Sequence, residues 1–103
     1  MTTNELTKYA IEELSNAGWT VWRQNSGRVR NVWLAPKGTP DIIGFTKDGR
    51  FVGIEVKTGR DKIREDQRLW AKHARACGVF VSLIREAKDV AKVVEEYRMG
   101  EDA

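Results

Sequence analysis

Three side chains in one short stretch have the types needed to do chemistry together: Asp41, Glu55 and Lys57. They belong to a segment that reads Gly38-Thr-Pro-Asp-Ile-Ile-Gly-Phe45, a polar turn, then Phe51-Val-Gly-Ile-Glu-Val-Lys57. Two carboxylates brought close repel one another unless a cation sits between them. Mg²⁺ suits that place, because it prefers oxygen ligands and keeps several waters. Such an ion polarises a phosphate and lowers the pKa of a bound water. An ammonium two residues further on would orient the nucleophile or offset charge developing on phosphorus. The chemistry these residue types suggest is metal-assisted phosphodiester hydrolysis.

A β-hairpin must position them. Both arms are rich in β-branched and aromatic residues, with Lys47-Asp48-Gly49 as the punctuation between. Strand side chains alternate faces, so Glu55 and Lys57 share one. A two-residue loop on Asp48-Gly49 would put Asp41 on the opposite face. A three-residue loop with Gly49 in the left-handed region pairs Asp41 directly with Glu55, and the spacing predicts this second turn. Ile43, Phe45, Phe51 and Gly53 then lie on the face of the site, and Ile42, Val52, Ile54 and Val56 on the other. Both faces are apolar, so covering layers are expected on both sides. Gly53 weakens its strand and implies a close approach by another group.

The pattern Gly-Thr-Pro-Asp41 followed by Gly49-Arg-Phe-Val-Gly-Ile-Glu55-Val-Lys57-Thr-Gly resembles the PD-(D/E)XK nuclease superfamily, and within it the VRR-NUC branch, in particular its small stand-alone phage members. The likeness extends to Trp22-Arg-Gln-Asn-Ser-Gly27 upstream and Glu65-Asp-Gln67 downstream. It implies a restriction-endonuclease-like α/β core and a Mg²⁺-dependent DNA endonuclease, with Mn²⁺ as a substitute ion. Asp41, Glu55 and the Val56 carbonyl would hold the metal, Lys57 would position water, and Gln67 would support them. An acid on the first helix often reaches the metal in this family, and Glu5 matches that position. The resemblance also implies 5′-phosphate and 3′-hydroxyl products, branched or Holliday-junction DNA as substrate, and a homodimer. A cytoplasmic location is expected, the host cytoplasm for a phage-encoded chain.

The 103 residues suggest one domain, 1–99, with a polar tail at 100–103. A hydrophobic content of 41% argues against disorder. No apolar run approaches membrane-spanning length, and a lone cysteine, Cys77, has no disulfide partner within the chain. The net charge is only +3, so its distribution matters more. Between Leu14 and Pro40 lie Arg23, Arg28, Arg30 and Lys37 and no acid, a stretch suited to a polyanion such as DNA. Arg23, Asn25, Arg28, Arg30 and Lys37 are candidate phosphate contacts, with Arg60 and Arg64 further on.

Around the hairpin the chain reads as helix, strand, hairpin, helix, strand, helix. The order α-β-β-β-α-β-α gives a mixed sheet flanked by helices. Thr2 and Glu5 have capping-box spacing ahead of a helix with Leu6, Ala10, Leu14 and Ala17 inward, so Glu5 is either a cap or a metal ligand. Residues 19–24 alternate as a strand, and 29–34 form a shorter strand or an ordered loop. Trp22 and Trp33 have rings that can stack on bases, but core positions are favoured in so small a chain. A helix over 64–77 carries Arg64, Arg68, Lys72 and Arg75 along one face, a solvated surface or a rail for phosphates. Trp70, Ala74 and Cys77 form its apolar side, and His73 lacks partners for zinc. Residues 79–84 form the last strand. The last helix, over 86–99, turns Ala87, Val90, Ala91, Val94 and Tyr97 inward. The competing reading is a non-catalytic DNA-binding module on the same fold, and a third is a protein adaptor using its tryptophan surface.

Overall fold

A computed structural model describes residues 1–24, 28–30, 32–33 and 35–101, with backbone only for residues 28, 29, 32, 33 and 101. Within them the elements are α1 (Thr3–Asn16), β1 (Thr20–Arg23), β2 (Arg28–Val29), β3 (Val32–Trp33), β4 (Ile42–Phe45), β5 (Phe51–Val56), α2 (Glu65–Ala76), β6 (Phe80–Ile84) and α3 (Lys88–Glu101). The main sheet has the order β1-β4-β5-β6. β4 runs antiparallel to both β1 and β5, and β6 joins β5 in parallel after the α2 crossover. This is the mixed sheet between helices that the element order implies.

Local chemistry sets the ends of the elements. Thr2 and Glu5 close a capping box at the start of α1, with Glu5 N–H donating to Thr2 Oγ1 at 3.1 Å and Thr2 N–H to Glu5 Oε1 at 3.0 Å. The hairpin turns through Lys47-Asp48-Gly49, with Gly49 at φ +84°. Thr46 N–H bonds the Arg50 carbonyl at 3.0 Å, and Gly49 N–H the Thr46 carbonyl at 2.9 Å. Tyr97 of α3 donates its hydroxyl to the Asp48 carboxylate at 2.8 Å and so pins the turn to the body of the protein. The register follows: Phe45 opposite Phe51, Gly44 opposite Val52, Ile43 opposite Gly53, Ile42 opposite Ile54.

The core lies on one side of the sheet. Ile42, Val52 and Ile54 are fully buried, and Val56 and Ile84 nearly so, against Leu6, Ala10 and Leu14 of α1 and Val90, Val93 and Tyr97 of α3. Each such aliphatic side chain contributes roughly 1.5–3 kcal/mol. On the other side α2 covers only part of the sheet. A Cβ on Gly53 would lie 2.9 Å from the Pro40 ring and 3.4 Å from Trp70, so that glycine admits both.

Several expectations change. The second side of the sheet is covered only in part: Trp22, Phe45 and Phe51 are 43%, 44% and 40% exposed. Trp22 is therefore not core, because alternation turns it with Thr20 away from buried Val21. Cys77 caps the end of α2 and is exposed, since the helix is finished before its side chain can turn inward. In α3, Val93 is buried where Ala91 was expected, because the larger side chain takes the inward position. Arg28–Val29 and Val32–Trp33 form two short antiparallel strands where one strand or an ordered loop over 29–34 was anticipated.

Candidate active site

The hairpin register carries the site. One position beyond the Ile42–Ile54 pair, Asp41 faces Glu55, so both carboxylates leave the sheet on the same side. Asp41 Oδ2 accepts the Val56 N–H at 2.9 Å, which fixes its carboxylate against β5. The Asp41 carboxylate lies close enough to Glu55 to alter its titration. Glu55 is 8% exposed and its pKa is pushed up to about 9, first by burial, then by the hydrogen bond and the charge of Asp41. Lys57 and Arg64 oppose that rise, so both cations lie within electrostatic reach of Glu55. Lys57 is equally buried, its N–H bonded to the Ile84 carbonyl at 3.0 Å.

Gln67 joins α2 to this pair. Its Nε2 donates to Glu55 Oε1 at 3.2 Å while its Oε1 accepts the Arg64 N–H at 2.9 Å. One amide therefore orients a carboxylate and satisfies a free N–H at the start of a helix. Gln24 N–H donates to the Asp41 carbonyl at 2.7 Å, so β1 continues to the same level.

The donor set fits a hard cation. Two carboxylates in contact, one held protonated by its neighbour and by burial, are relieved by a divalent ion between them. Among the described residues no three His, Cys, Asp and Glu side chains gather, so such an ion would draw on the two carboxylates, backbone oxygen and water. That composition matches Mg²⁺ and not a closed zinc site.

The structure thus unites Asp41, Glu55, Lys57 and Gln67. Glu5 stands apart from that group: its carboxylate is engaged in the cap of α1 and exposed, and its pKa is lowered by the Thr2 N–H and hydroxyl. The start of α1 is nonetheless near, because Thr3 Oγ1 and Thr58 Oγ1 are hydrogen-bonded, and Arg23 Nη1 donates to Asn4 Oδ1. Arg64 and Arg68 are paired with Asp66 and Glu65, while Arg30, Lys37 and Arg60 are exposed. Asn25 and the side chain of Arg28 lie outside the described residues. The influence of Arg64 on Glu55 was not legible in sequence, since a helix-capping residue gives no sign of which strand it faces.

The chain thus carries a carboxylate pair and a lysine on adjoining strands of a mixed sheet flanked by helices, the architecture of a VRR-NUC domain, which is a nuclease-type domain. The VRR-NUC domain family matches residues 6–88, and the chain belongs to that family. A solved structure described as a VRR_NUC domain shares the fold with a TM-score of 0.71 at 24% identity, covering 92% of this chain and 96% of that one. No curated protein matches the chain.

Proposed function

We propose that this protein is a Mg²⁺-dependent DNA endonuclease. The observation that carries the reading is the Asp41–Glu55 pair, two acids on one side of the sheet whose contact makes sense around a cation. Asp41, Glu55 and the Val56 carbonyl would hold the ion, which supplies a polarised phosphate and an acidified water when bound. Mn²⁺ would serve in its place.

The side chains divide the remaining work. Gln67 holds Glu55 in one orientation by its 3.2 Å hydrogen bond. The Val56 N–H does the same for Asp41. Lys57 presents an ammonium that orients the attacking water and offsets negative charge as it develops on phosphorus. Burial keeps Lys57 and Glu55 out of bulk water, which strengthens both effects. One such site cuts one strand at a time, so paired incisions in branched DNA call for two copies of the chain.

The test is Glu55→Ala. Cleavage of flapped, nicked and four-way DNA with Mg²⁺ is expected to fall by about a hundred- to a thousandfold, the scale of losing a principal electrostatic element. DNA affinity in chelator is expected to persist. Undiminished cleavage would remove Glu55 from the chemistry, and a wild-type protein that binds without cutting would establish the non-catalytic reading.

A further inference from the structure

The side of the sheet that carries the carboxylates also holds a row of uncovered apolar side chains. Register places them level by level. Asp41 and Glu55 form the first level; Trp22, Ile43 and Gly53 the next; Thr20, Phe45 and Phe51 the last. Same-side levels along a strand are spaced by roughly 7 Å. The Trp22 and Phe45 rings meet edge to face with centroids 6.4 Å apart. Beside them lies a trough of about 310 Å³ lined by Gln24, Pro36, Thr39, Ile43, Phe51 and Trp70. Its Gln24 end adjoins Asp41 through the 2.7 Å backbone bond.

The shape and chemistry of this surface select its occupant. An exposed aromatic patch on a small domain marks a binding surface. This one shares the side of the sheet that carries the carboxylates and reaches towards Asp41 at its Gln24 end, so a strand held at the site can extend onto it. Phe51 and Trp70 bring rings to the trough beside the apolar side chain of Ile43. Bases that have left a duplex stack on aromatic rings, whereas paired bases present only phosphates and groove edges. We infer that the trough between Ile43, Phe51 and Trp70, with the Trp22–Phe45 pair beside it, binds unpaired bases flanking the phosphate that lies at Asp41 and Glu55. This rests on the nuclease reading for its geometry and adds to it a base-binding surface.

Binding in chelator tests the inference apart from cleavage. Three probes serve: a short oligothymidylate, an abasic strand of the same length, and a blunt duplex. Oligothymidylate is expected to quench tryptophan fluorescence. Phe51→Ala is expected to weaken oligothymidylate binding roughly tenfold, the scale of one lost stacking contact, and to leave the abasic and duplex affinities unchanged. Phe51→Leu, which keeps an apolar side chain and the fold, is expected to lose most of the same affinity. Equal losses on all three probes, or no loss on oligothymidylate, would overturn the inference. A shift of these variants from dimer to monomer in sedimentation, with oligothymidylate affinity intact, would overturn it too and assign the surface to a second copy. Failure of wild-type cleavage in Mg²⁺ would count against the nuclease reading alone, because the binding comparison contains no metal.

Discussion

Glu55 ties the chemistry of the site to the stability of the fold. An ordinary glutamate titrates near 4.5, and in the folded metal-free protein Glu55 is raised to about 9 by burial and by Asp41. Between those values the folded state keeps a proton that the unfolded state has released. Linkage then makes this contribution to stability greatest below the unfolded value, and it declines as pH rises towards about 9. The Tm of the wild-type protein in chelator is expected to fall between pH 5 and pH 9, and Glu55→Gln to flatten that slope. For a domain of this size each kcal/mol corresponds to roughly 4–8 °C. Calorimetric melts across the range check it, and a level wild-type profile would contradict the burial argument. The pair itself was legible in sequence, because loop length and strand alternation suffice to put Asp41 beside Glu55. The fate of Trp22 was not: alternation says which side a ring takes, but not whether a helix reaches far enough to cover it.

At the level of elements, the hairpin turn and the buried residues of its two arms together keep the two carboxylates on one side. Gly49 sits at φ +84°, and a Cβ there would meet nothing within 4 Å. Substitution to alanine therefore acts through the backbone alone, at a cost of about 1–2 kcal/mol for a left-handed residue. Gly49→Ala is expected to lower stability in urea by that amount while kcat changes less than twofold, since Ile42, Val52 and Ile54 independently hold the register from the core side. A large fall in kcat with stability preserved would show that the turn tunes the site directly. The three-residue turn was a choice between two loops that both accept a positive φ at Gly49, and glycine as the third loop residue favoured the one observed. The phase of α3 could not be read from sequence, because Ala91 and Val93 both fit an apolar stripe and only packing against the sheet chooses between them. The two short strands at 28–33 escaped for a related reason: pairs this brief have no periodicity to detect.

For the whole molecule, the decisive feature is that the two sides of the sheet differ. α1 and α3 seal one side with the core, whereas the other carries the carboxylates, α2 and the open aromatic surface. A polyanion cleaved at Asp41 and Glu55 would approach from the second side, so the position of a charge should matter more than the modest net charge of +3. Arg60 lies in the segment between Lys57 and α2, exposed and three residues past the buried lysine. Lys92 is exposed on α3, in the layer that seals the core, and is 3.9 Å from Asp89. Replacing either with glutamate exchanges one positive charge for one negative, so a purely global field would penalise both alike. Arg60→Glu is expected to weaken DNA binding about tenfold or more at low salt and to reduce the slope of log affinity against log salt by about one, the signature of a lost phosphate contact. Lys92→Glu is expected to change affinity less than about twofold, because the Debye length near 10 Å at moderate salt isolates the far side. Anisotropy titrations in chelator at several salt concentrations separate the cases, and equal losses for the two variants would mean that DNA does not approach from the side of Asp41 and Glu55.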